Sequence, residues 1–305
     1  MSLTQQAPNA VVMVRPHHFT SNPQTMLDNA FQSECEVKNE SEQAFKEVTH
    51  AVELLQNEGV TVHLFEDEQT HTPDSVFPNN WFSTHQNGQL IIYPMFVENR
   101  RLEYRKDIID FLTEHYKVAV VTDYAHLAKE NSFLEGTGSL VLDHQYKLAY
   151  AVESKRTTRS VVNTVCNLLS FKPVVFNATD EQGIAVYHTN VLMCVASKFV
   201  MIGLNMVPED QRSELVGHFL QSHHEVIDLS VEQINNFCGN AIELHGKNGR
   251  ILALSETAYD ALTAEQIIAI QKTAKLVPLP IPTIESAGGS VRCMIAGVHL
   301  QSKSK

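Results

Sequence analysis

Apolar positions along this chain switch between a helical and a strand-like period, and the switching repeats. Ala44, Val48, Val52 and Leu55 recur at helical spacing, and Gly59 stands where that helix would stop, ahead of the apolar run Val60 to Leu64. Leu102, Ile108, Ile109 and Leu112 mark a second helix before Val118 to Val121. Val161, Val165, Leu168 and Leu169 mark a third, and Leu215 with Phe219 a fourth. A fifth starts at Thr263, where Gln266 completes a Thr-x-x-Gln capping box ahead of Ile267, Ile270 and Ala274. Each of the five helices leads into a short β-like run.

Pairs of strands precede the last helices: Leu140–Leu142 with Leu148–Ala151, Val191–Val195 with Phe199–Ile202, and Ala241–Leu244 with Arg250–Leu254. The turns between them, such as Gly246-Lys247-Asn248-Gly249, suit hairpins. The repeating unit is therefore strand, strand, helix, strand, and the chain reads as a repeat array. Polar residues that interrupt the apolar run opening each unit supply the period. They are Asn80, Glu135, His188, Asn240 and Cys293, at successive separations of 55, 53, 52 and 53 residues. Five such units closing around an axis would bring these residues together at its centre. The expected fold class is α/β: a five-bladed ββαβ propeller with a pseudo-fivefold repeat. Residues 1–305 read as a single domain of five repeats of about 53–61 residues.

Composition narrows the function. The chain has 305 residues, 43% of them hydrophobic, and a formal net charge of −12, so it is neither disordered nor suited to a polyanion. Nucleic acid and anionic membrane surfaces are excluded as partners, and no apolar stretch approaches the roughly 20 residues of a bilayer span. Five cysteines at 35, 166, 194, 238 and 293 form no CxxC pair, which leaves no zinc motif. With no leader pattern at the start of the sequence, free thiols in a cytoplasmic setting are expected.

A thiol, an imidazole and a carboxylate in one pocket suit nucleophilic acyl- or amidine-type transfer, which assigns candidate roles to Cys293, His188 and Glu135. Arg292 or a protonated His188 would favour the thiolate. Gly288 and Gly289 would let the backbone approach a ligand closely. The remaining cysteines read as small buried hydrophobes, Trp81 as packing, and Asn240 as a structural hydrogen-bonding residue. The pairs His17-His18 and His223-His224 have no i,i+4 partner and read as surface or structural. The polar stretch Glu66–Pro73 is either a lid or a solvated connector.

Asp74-Ser75-Val76-Phe77-Pro78-Asn79-Asn80, Leu134-Glu135-Gly136, Ser154-Lys155-Arg156-Thr157, Tyr187-His188 and Gly288-Gly289 followed by Cys293-Met294 together resemble the guanidine-modifying superfamily of penteins. The resemblance runs from about residue 11 to 300 and is nearest to the bacterial citrulline utilisation hydrolase branch, where Phe-Pro-Asn-Asn-Trp is at home. It implies a catalytic Cys293 nucleophile, His188 as acid and base, and Glu135 setting the histidine, with no metal and no cofactor. It also implies Asp74 as a substrate-binding acid, with Arg101 and Arg156 holding the substrate's α-carboxylate; Arg100 could replace Arg101 by a one-residue shift. The implied partner is a small-molecule amino acid, and a homo-oligomer is compatible with the sequence.

Where arginine deiminases carry aspartates, this chain has Asn80 and Asn190. A guanidinium offers only donors and positive charge, whereas a ureido group is neutral and also presents a carbonyl acceptor. Losing two desolvated carboxylates removes roughly 1.5–3 kcal/mol per charged hydrogen bond from guanidinium binding. The expected activity is hydrolysis of a C–N bond in a ureido amino acid, citrulline giving ornithine. The alternatives are an amidinotransferase, an arginine or methylarginine hydrolase, and a non-enzymatic amino-acid-binding pentein, which intact Cys293, His188 and Glu135 disfavour.

Overall fold

The computed structural model describes residues 5–303 except 27, 28, 30 and 33–38; Cys35 lies outside the described residues. Five three-stranded sheets surround one axis. In four of them two antiparallel strands are followed by a helix and a third strand parallel to the second. These are Phe82–Thr84, Gln89–Ile92 and Val120–Asp123; Val141–Asp143, Leu148–Val152 and Lys172–Phe176; Met193–Val195, Phe199–Ile202 and Glu225–Asp228; and Ile242–Gly246, Gly249–Ser255 and Lys275–Leu279. The fifth sheet joins distant parts of the chain. Ala296–Gly297 pairs antiparallel with Ala10–Pro16, which pairs parallel with Thr61–Asp67. This pairing closes the ring and puts Cys293 next in order to Asn80.

The long helices cover the outside of the sheets. They span Glu40–Asn57, Lys106–His115, Arg159–Leu169, Glu209–Gln221 and Ala264–Gln271. The first ends at Gly59, whose φ of 90° carries the chain into the next strand. The last begins with the expected capping box, with both Thr263–Gln266 bonds formed. Arg159–Leu169 buries Val161, Val162, Val165, Cys166 and Leu169 against its sheet, at about 1.5–3 kcal/mol for each large apolar side chain. Leu102 departs from the expectation. It lies on a short turn, Asn99–Glu103, and is 53% exposed, because the helical period starts only at Lys106. No helix among the described residues is long and apolar enough to cross a membrane.

The residues expected to open strands sit instead on single helical turns just before the innermost strands. Asn80 ends Pro78–Asn80, Glu135 precedes Gly136–Ser139, His188 precedes Thr189–Leu192, and Cys293 lies in Val291–Met294. A helical turn swings its side chain toward the axis, where a strand would alternate faces. All five repeat-register residues are buried.

Candidate active site

A narrow cavity of about 10 Å³ lies over these turns, lined by Asp74, Asn80, Arg100, Arg156, Tyr187, His188 and Cys293, together with Thr25, Asn29, Phe77 and Ala287 to Gly289. Residues 66–73 are not among the residues that line it. Gly288 and Gly289 lie closest to Asn29 and to the Phe77 ring.

His188 Nε2 lies 2.7 Å from Glu135 Oε2, and Phe96 N–H donates to Glu135 Oε1 at 2.9 Å. Burial raises the Glu135 pKa, but Arg156, the His188 hydrogen bond and Arg100 outweigh it and hold the carboxyl below the usual carboxylate range. An ionised carboxylate only accepts, so Nε2 carries the imidazole proton. The other nitrogen, His188 Nδ1, then presents a lone pair and has no partner among the described residues. Burial pushes His188 down to about 4 against the opposing pull of Glu135, which keeps the ring neutral near pH 7.

Two amide groups converge on the Cys293 sulfur. Asn190 Nδ2 donates to Sγ at 3.2 Å and Asn240 Nδ2 at 3.3 Å. Asn240 also donates to Asn190 O at 3.0 Å and accepts from the backbone N–H of Arg292 at 3.0 Å. It therefore fixes the turn that carries the thiol. A thiolate accepts such bonds more strongly than a thiol does. Arg292 makes no hydrogen bond to the sulfur; its guanidinium donates to Ile295 O at 2.9 Å.

Arg100 is the arginine in the cavity, which corrects the expectation for Arg101. Arg100 donates to Glu103 at 2.7 and 2.9 Å and lies 3.6 Å from Asp74 and 3.7 Å from Glu135. Arg101 instead donates to the carbonyls of Met95 and Phe96 near the surface. The turn Asn99–Glu103 sends adjacent side chains in different directions, so a shift of one residue decides which is buried. Arg156 is buried as expected, 3.6 Å from Glu135 and 4.7 Å above the Tyr187 ring. Ser154 Oγ accepts from Arg156 N–H and donates to Tyr187 O, which ties the Ser154–Thr157 motif to Tyr187-His188.

Asp74 Oδ2 accepts from Asn22 at 2.7 Å while Oδ1 has no partner among the described residues, and burial raises its pKa. Asn80 satisfies both ends of its amide when the carbonyl accepts from Arg100 at 3.1 and 3.2 Å and the NH2 donates to Asn79. Gly138 permits this closeness, since a Cβ there would fall 2.3 Å from Asn80 and 2.8 Å from His188. Trp81 packs against Phe82 and Tyr104 away from the cavity. His17 meets Glu66, and His224 is held by Ser222 and Ala196 O.

The sequence profile of the family described as N,N dimethylarginine dimethylhydrolase, eukaryotic, matches residues 15–300. The chain belongs to that family. It is thereby a member of a hydrolase family within the guanidine-modifying penteins. No curated protein sequence matches it. Among solved structures, ArgZ, an arginine dihydrolase from the ornithine-ammonia cycle in cyanobacteria, is similar with a TM-score of 0.73 and 16% identity over 94% of this chain. This chain spans 40% of that protein, and 96% of an ArgZ N-terminal domain bound to substrate, with a TM-score of 0.71 and 15% identity. A dimethylarginine dimethylaminohydrolase variant carrying an S-methyl-L-thiocitrulline adduct has a TM-score of 0.67 and 15% identity, with 95% and 99% of the two chains covered. At these identities the likeness carries the pentein fold.

Two residues beside the candidate site escaped the motifs. Asn22 precedes the first helix and lies outside the repeat, so nothing in the pattern marks it. Asn240 carried a signal, its place in the repeat, but an asparagine in a turn has no chemistry until its neighbours are known.

Proposed function

We propose that this protein hydrolyses citrulline to ornithine through a covalent bond to Cys293. The observation that carries the reading is the scarcity of carboxylates: among the described cavity-lining residues Asp74 is the one acid, and amides occupy the positions around the sulfur. A neutral ureido group suits that setting better than a guanidinium does.

In this mechanism His188 Nδ1 takes the proton of the Cys293 thiol, and the sulfur attacks the ureido carbon. The bond from that carbon to the side-chain nitrogen breaks, and His188 returns the proton to the leaving amine of ornithine. Water deprotonated by the same nitrogen then cleaves the S-carbamoyl group to carbamate, which decomposes to carbon dioxide and ammonia. Glu135 holds the tautomer throughout. Arg100 and Arg156 supply the positive end of the pocket for the α-carboxylate. Four free thiols, Cys166, Cys194, Cys238 and Cys293, support a reducing cytoplasmic setting.

A second reading is hydrolysis of arginine or a methylated arginine at the guanidino carbon. The unpartnered Asp74 Oδ1 favours it, because that oxygen would accept from a guanidinium. ArgZ, described as an arginine dihydrolase, bears on the same choice. Product analysis with citrulline, arginine, dimethylarginine and agmatine decides between them. Ornithine from citrulline is the expected result; citrulline from arginine with no ornithine from citrulline would overturn it.

A further inference from the structure

All five innermost strands contribute to a second cavity, on the axis and on the other side of the layer of turns. Its walls include Ser83, His85, His144, Glu243, Arg292 and His299. Arg292 uses one N–H on Ile295 O and forms no ion pair with a described carboxylate. His144 and His299 stack with ring centroids 3.9 Å apart, and His85 lies 6.3 Å from His144. His85 Nε2 meets Ser83 Oγ at 2.7 Å, while its Nδ1 is buried without a partner among the described residues. The acid on the wall, Glu243, is engaged through Oε2, which accepts from the N–H and hydroxyl of Ser197; Oε1 lies 3.5 Å from Arg250 and makes no hydrogen bond among the described residues.

We propose that this axial cavity binds a small oxyanion such as inorganic phosphate, held by Arg292 together with His144 and His299. Arg292 is part-buried with no carboxylate partner among the described residues, and the paired N–H groups of a guanidinium match the oxygens of a phosphate or carboxylate. Burial holds His85 and His299 down at about 3 and His144 well below its ordinary value, and Lys147 adds to the effect on all three. An arriving anion reverses that balance and lets the stacked pair take up a proton and donate. A divalent cation is the wrong ligand, because Arg292 and Lys147 oppose it; among the described residues no group of three His, Cys, Asp or Glu is placed to hold one. The inference stands on the inner strands and does not depend on the reaction.

The test is calorimetry and thermal melting with phosphate against chloride at equal ionic strength, using the whole chain. Wild type is expected to bind phosphate saturably and to melt higher with it. Arg292→Met is expected to weaken binding by about tenfold or more, the loss of a charge-assisted pair. His299→Gln, whose ring makes no side-chain bond to the described protein, should weaken it severalfold and shift less on folding. No saturable binding in wild type overturns the proposal. So does undiminished binding in Arg292→Met, which would place the anion at Arg100 and Arg156. Should Arg292→Met fail to fold, the phosphate affinity of His299→Gln decides alone, and an unchanged value overturns the site.

Discussion

The turn-layer cavity and the axial cavity are built from the same repeat, yet they treat charge in opposite ways. Around Cys293 each cation has a carboxylate: Arg100 meets Glu103, Asp74 and Glu135, and Arg156 meets Glu135. Around Arg292 three imidazoles and a guanidinium face one another, and Glu243 is tied to Ser197 and Arg250. The first arrangement fixes one tautomer of His188 and leaves Asp74 Oδ1, His188 Nδ1 and Asn190 Oδ1 unpartnered among the described residues. The second holds its imidazoles neutral at some cost. Pre-paired charge suits a site that must keep one geometry, whereas unpaired charge suits a site completed by an anion.

The sharpest way to break this contrast is at the nucleophile. Cys293→Ala is expected to lower turnover of the true substrate by at least about 10³-fold while melting close to wild type, measured as ornithine or citrulline release. Retained turnover would move the chemistry away from the turn layer. Glu135→Gln keeps the shape but can donate to His188 and leaves Arg100 and Arg156 short of a counter-charge. Its kcat should fall by about 10²- to 10⁴-fold, with a smaller change in KM.

Acid titration compares the two cavities directly. His188, His85, His144 and His299 all have folded-state pKa values depressed below the ordinary imidazole value. The unfolded chain therefore binds more protons between about pH 6.5 and 4, and stability must fall as pH falls through that window. Each imidazole adds up to about 1.4 kcal/mol per pH unit. Glu135, also depressed, acts with the same sign and only below its ordinary unfolded pKa. Denaturant titrations at pH 7 and pH 5 should show this loss. His144→Asn should make the slope shallower by about one proton. An unchanged slope would mean that the axial imidazoles are not held neutral.

Asn240→Ala should cost about 10- to 100-fold in kcat, since it removes a donor from the sulfur and frees the turn. The smallest effect is expected from Arg101→Ala. A shift in KM of no more than about threefold, with stability changed by about 0.5 kcal/mol, would match its place near the surface. The same measurement on Arg100→Ala should show a large loss, because Glu103 would be left buried and unpaired at about 3–5 kcal/mol.

Much of this was readable in one dimension. The alternating periods marked the five helices, the capping box at Thr263 forms, and spacings near 53 residues brought Asn80, Glu135, His188, Asn240 and Cys293 into one layer. The conversion of expected strand starts into single helical turns was not readable, because four or five residues are too few to show a period. Nor was the choice of Arg100 over Arg101, which depends on the direction of one turn.

The sequence by itself determined the pentein repeat, the membership of the family and the kinds of groups available at the axis. Periodicity and residue identity are local properties, and they survive without coordinates. Only the tertiary structure decided which groups pair. Two amides on one sulfur and a carboxylate that selects a tautomer 53 residues away are contacts across blades. Such contacts are set by the closing of the ring, and no local pattern encodes them.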